Sequence, residues 1–123
     1  MDSPQFPDFR GRATFRWIEN GAYLFVRDDV DSGEFPSSTW IIGGDDSMQD
    51  CMALYHDSRG VRRVYQTSMA DGVWRIWRNA PELNQRFIGQ IADGGETIDA
   101  RWERSGDGSD WVTDFDLVYR KIG

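Results

Sequence analysis

From Arg12 onward, apolar and polar residues alternate with a period of two, and no stretch carries a convincing 3.6-residue period. Arg12 to Ile18 sets Ala13, Phe15 and Trp17 against Arg12, Thr14 and Arg16. Asn20-Gly21 follows, a pair suited to the positive φ angles of a type I′ hairpin turn. A two-residue loop there predicts a register: Ile18 opposite Tyr23, Trp17 opposite Leu24, Arg16 opposite Phe25 and Phe15 opposite Val26. One face of this hairpin is then Ala13, Phe15, Trp17, Leu24 and Val26. The other brings Arg16 beside Tyr23 and Phe25, a cation–π arrangement.

Seven more segments read the same way. An acidic loop is expected around Asp28 to Phe35, then strands over Ser37 to Ile42, Cys51 to Asp57 and Val61 to Met69. Gly43-Gly44-Asp45-Asp46 and Asp57-Ser58-Arg59-Gly60 supply the turns. Asp71-Gly72 makes a second tight turn, predicted to set Met69 opposite Trp74, Thr67 opposite Ile76 and Tyr65 opposite Arg78. After the arm that ends at Arg78, Asn79-Ala80-Pro81-Glu82 breaks the pattern, and strands resume over Gln85 to Ile91, Thr97 to Arg104 and Trp111 to Arg120. The last is expected to keep Trp111, Thr113, Phe115, Leu117 and Tyr119 on one side and Asp114 and Asp116 on the other. Short connections make sequence neighbours spatial neighbours, so the expected fold is all-β: an up-and-down antiparallel meander of nine or ten strands forming a small barrel. Nine strands cannot close a meander antiparallel, so a tenth strand, an open seam or a second chain is needed. Residues 1–11 read as an N-terminal arm and 12–123 as one barrel domain.

Composition narrows the class. The chain has 39% hydrophobic residues with six Trp, seven Phe and four Tyr, enough for a core rather than a disordered chain. Its formal net charge of −7 opposes binding to phosphate backbones and anionic membranes. Of fourteen basic residues only Lys121 is Lys. A lone Cys51 allows no internal disulfide, no signal sequence opens the chain, and no apolar run spans a bilayer, so a cytoplasmic protein is expected.

The segments LYHDSRGVRRVYQTSMADGVWRIWR, NQRFIGQIADGGETIDARWERSGDG and WVTDFDLVYRK resemble a domain-of-unknown-function family of small bacterial proteins with a calycin-like barrel. That wider group shares its architecture with lipocalins, fatty-acid-binding proteins and nitrobindin. The resemblance runs from Gly11 to the end and rests on turns and aromatics. It implies a calycin-like barrel, and a barrel of this size encloses either side chains alone or one small ligand. The usual N-terminal strand with its Gly-x-Trp element is missing here, so the resemblance does not carry haem over.

Few residues offer chemistry. His56 is the sole histidine and a candidate acid or base, because His alone titrates near neutrality unperturbed. Its neighbours Asp57 and Ser58 do not make a triad with it, since adjacent side chains on a strand point to opposite faces. One Cys and one His cannot build a structural zinc site, and the Asp45-Asp46 turn lacks the spacing of a calcium loop. Asp114 and Asp116 read as members of an ion-pair ladder with Arg101 or Arg120. The Gly-rich pieces precede strands rather than helices and read as hairpin turns. What remains is an inventory of aromatic and Arg residues, from which Trp40, Tyr65, Trp74, Arg78, Arg86, Trp102 and Tyr119 are the candidate ligand-binding set, with Arg78 or Arg86 holding a polar end.

The leading expectation is a barrel binding a small hydrophobic or amphipathic molecule, with no cofactor and no metal. Beside it stand a cofactor-independent barrel enzyme of isomerase, cyclase or hydratase type, and a structural module pairing with a second copy through an open seam.

Overall fold

A computed structural model describes residues 11–31, 36–44, 51–81 and 83–121. Nine strands follow one another as β1 (Gly11–Ile18), β2 (Tyr23–Val30), β3 (Ser38–Gly44), β4 (Cys51–Asp57), β5 (Arg62–Ala70), β6 (Val73–Arg78), β7 (Asn84–Ala92), β8 (Thr97–Ser105) and β9 (Val112–Arg120). Their order in the sheet is their order in sequence. The fold is therefore the all-β antiparallel meander that the alternation predicts, with strand ends displaced by a residue or two. The expected N-terminal arm up to residue 10 and the Asp45-Asp46 turn lie outside the described residues. The described residues divide into two compact units, one up to Thr67 and one from Ser68 onward.

In the first unit the β1–β2 register is the predicted one, from Ile18 opposite Tyr23 to Phe15 opposite Val26. Asn20 and Gly21 take φ angles of 58° and 88°, and the Ala22 N–H donates to the Glu19 carbonyl at 3.2 Å, which closes the I′-type turn. Arg16 lies 4.7 Å from the centre of the Phe25 ring, as the pairing requires. β2 runs on through Asp28 to Val30, where a loop was expected, because both of its edges find partners. Asp28 pairs with Ala13 on β1 and with Ser38 on β3, and the Val30 N–H donates to Ser37 Oγ at 3.1 Å. Ladder pairing on both sides of Asp28, and with Arg12 of β1 for Asp29, overrides the low strand preference of this pair.

The buried face of this unit follows from the registers. One cross-strand row is Phe15, Val26, Trp40, Tyr55 and Arg63, and its neighbour is Ala13, Asp28, Ser38 and Asp57. Val26, Ser38, Trp40, Ala53, Asp57, Tyr65 and Thr67 are buried. Burial falls away at β1, where Trp17 is 69% exposed. The opposite face carries a row of Arg16, Phe25, Ile41, Leu54 and Val64.

The second unit begins with the end of β5 and turns at Asp71-Gly72, both at positive φ. Its buried face stacks Trp74, Gly89, Ala100 and Leu117 in one row, and Ile76, Phe87, Trp102 and Phe115 in the next. Phe87 is 1% exposed, with the rings of Trp74 and Trp102 at 5.0 and 5.2 Å. Gly89 makes room for it: a β-carbon there would stand 3.0 Å from both the Phe87 ring and Ile98.

β9 departs from the expected alternation. The register shifts between Trp102 and Glu103, so that Trp102 faces Phe115 while Glu103 faces Thr113, and Asp114 is the extra residue. A bulge changes the phase of a strand. Trp111 and Thr113 consequently leave the side held by Phe115, Leu117 and Tyr119, and the Arg86 guanidinium lies 4.0 Å from the Trp111 ring on the other face. Of the expected ion-pair ladder, Arg101 meets Asp116 at 2.6 Å, while Asp114 has Arg104 at 3.9 Å in place of the expected Arg101 or Arg120.

Candidate functional site

At one end of the buried face of the first unit, β2, β3, β4 and β5 bring Asp28, Ser38, Trp40, Tyr55, Asp57 and Tyr65 into a polar and aromatic cluster. Trp40 is its centre. Its ring centroid lies 4.7 Å from that of Tyr55 and 5.1 Å from that of Tyr65, and the two tyrosines stand 6.0 Å apart edge to face.

Two carboxyl groups border these rings. Asp57 is fully buried and saturated: Oδ2 accepts from the Tyr55 hydroxyl at 2.7 Å and from Arg59 Nη2 at 2.6 Å, while Oδ1 accepts the Arg59 and Val61 backbone N–H groups at 2.9 and 3.4 Å. The bonds from Arg59 hold its carboxyl well below the usual range, with Tyr55 adding to them against the burial. Burial, together with the bond to Asp57, raises the Tyr55 phenol. This is the chemistry of a turn: Asp57 ties the β4–β5 connection together.

Asp28 differs. Its Oδ2 accepts from Ser38 Oγ at 3.1 Å, and the Trp40 side chain acts on the same carboxyl as a donor. Its Oδ1 is buried with no hydrogen-bond partner. Burial pushes the Asp28 carboxyl up to about 6, against the pull of Ser38 and Trp40, with Asp29 adding repulsion.

The residues expected from sequence fall in three places. Trp40 and Tyr65 meet in the cluster just described. Trp74, Arg78, Trp102 and Tyr119 share the buried face of the second unit, with Trp74 and Trp102 flanking Phe87. Arg86 is on the reverse face, where Nε pairs with Glu103 Oε1 at 2.9 Å. His56 is exposed in a row with Thr39 and Arg62, on the face opposite Tyr55 and Asp57. Asp28 is hidden in the sequence because the acidic run that it opens reads as a loop. The signal was there in the spacing: Leu24, Val26 and Asp28 continue one inward series.

Among the described residues, no group of three or more His, Cys, Asp or Glu is placed to hold a metal ion, and no helix is long and apolar enough to cross a membrane. Fold and cluster together define an all-β meander with a polar, aromatic site built on rigid strands. No protein-family model and no curated protein matches the sequence.

Proposed function

We propose that this chain binds a small hydrophobic or amphipathic molecule, as a calycin-like barrel of a bacterial cytoplasm would. The observation that supports this reading is Asp28 Oδ1, a buried acceptor without a hydrogen-bond partner, on a carboxyl that also has the Trp40 side chain as a donor. Native interiors satisfy such groups, since leaving one unmet costs about 1–3 kcal/mol. A ligand with a donor at one end and an apolar body at the other meets both halves of the site. Nucleic acids and membranes are poor partners for a chain of net charge −7. A second copy pairing along an open seam belongs to the same reading.

The experiment is native mass spectrometry of the protein purified from its own host. A co-purifying small-molecule mass that disappears in the Trp40→Ala variant is the expected result. Bare protein from the host, together with no thermal stabilisation by any member of a diverse metabolite library, would refute ligand binding.

A cofactor-independent enzyme is the second reading, favoured by a buried carboxyl that titrates at about 6, close to where a general acid or base works best. Asp28 then takes the role first given to His56, which is exposed on the far face. Turnover of a candidate carbonyl or alkene substrate that vanishes in Asp28→Asn while binding persists supports it; unchanged turnover in that variant removes it.

A further inference from the structure

We infer that the site takes an amphipathic primary or secondary amine, its ammonium N–H donating to Asp28 Oδ1 and its apolar body lying against Trp40 and Tyr55. This rests on the small-molecule reading above and specifies its ligand class.

Charge decides the class. Asp57 is spent on Arg59, Tyr55 and two backbone N–H groups, so it offers a ligand nothing. Asp28 is the carboxyl left with an open lone pair. Around it, β3 contributes the neutral donors Ser38 and Trp40, and β1 contributes Ala13. The tyrosines of β4 and β5 are neutral, and Arg63 ends the adjoining row three strands away, across from Tyr55. Among the described residues no cation is bonded to Asp28, and the chain's own N-terminal ammonium is the weakest of the influences on its carboxyl. An anionic ligand would bring like charge onto a buried carboxylate, and a neutral hydroxyl would meet the lone pair but leave the charge. An ammonium meets both, and its N–H bond to a carboxylate is of the stronger, charge-assisted kind. The indole and phenol rings favour the same sign, because an aromatic face attracts cations. Trp40 is buried, whereas Asp28 and Tyr55 as whole residues keep part of their exposure.

A site of this polarity differs from the one expected from sequence, in which Arg78 or Arg86 holds a polar end. Arg86 is paired with Glu103 and stacked on Trp111.

The test compares three probes of one shape, 2-phenylethylamine, 2-phenylethanol and 3-phenylpropionate, titrated into the full chain by calorimetry at pH 5 to 7. The amine is expected to bind at least tenfold tighter than the other two, and to tighten as the pH rises through 6, where Asp28 ionises. Asp28→Asn is expected to lose at least tenfold for the amine alone. The wild-type pH series stands without the variant, which guards against misfolding. Equal affinities, tighter binding of the propionate, or an amine affinity flat with pH would overturn the amine assignment while leaving a small-molecule site in place. Failure of all three probes to bind at millimolar concentration would also overturn the amine assignment, whereas ligand binding itself falls only with bare protein from the host and no stabilisation by the metabolite library.

Discussion

Asp57 and Asp28 stand two strands apart in one cross-strand row, and their bonding separates them. For Asp57, folding brings donors that favour the ionised form, so its contribution to stability is present above its ordinary value and is lost as the pH falls below about 4. Asp57→Ala leaves the Tyr55 hydroxyl and two N–H groups without their acceptor and is expected to cost about 2–4 kcal/mol in urea denaturation at pH 7. Asp28 works with the opposite sign. Its folded form prefers the proton, so its contribution is complete below pH 4 and is lost as the pH rises to about 6. A carboxyl raised from 3.8 to about 6 corresponds to about 3 kcal/mol of lost stability at neutral pH. Asp28→Asn is therefore expected to raise stability above pH 6, by an amount of that order, and to change it little at pH 4. Denaturation midpoints of the two proteins across pH 4 to 8 check both parts; a difference independent of pH would contradict the assignment.

At the level of strands and hairpins, much of the pattern was legible because turn chemistry fixes register. Asn20-Gly21 determined every pair of the β1–β2 hairpin, and the alternation of Thr97 to Arg104 placed Ala100 inward and Arg101 outward. Two features were not legible for a common reason: pairing partners are not written into the strand they act upon. Polar Asp28-Asp29 reads as loop until β1 and β3 flank it, and the phase of β9 reads as continuous until Asp114 bulges out. The site was half legible. Aromatic alternation pointed to Trp40 and Tyr65, but a carboxylate on the inward series had been read as loop. The bulge also created a contact. Trp111 caps Arg86 on a partly exposed face, so Trp111→Ala is expected to cost about 0.5–1 kcal/mol, measured by thermal unfolding, while Val112→Ala, at a residue 52% exposed, costs less.

For the molecule as a whole, each strand lies beside the one before it in sequence, and this has a kinetic meaning. Chains dominated by distant pairings fold slowly, because long loops must close before any contact rewards them. Here the longest connections join adjacent hairpin arms, so order can spread from a formed hairpin one strand at a time. The Asn20-Gly21 and Asp71-Gly72 turns, with backbone already in the left-handed region, are the natural starting points. Gly21→Ala strains a residue at φ 88° and is expected to cost about 1 kcal/mol, appearing mainly as slower refolding in stopped-flow measurements rather than faster unfolding. The same arrangement limits what a nascent chain must wait for: the hairpin of β1 and β2 is complete in sequence by Val30, long before β9 is synthesised, and each later strand emerges onto an edge already waiting for it.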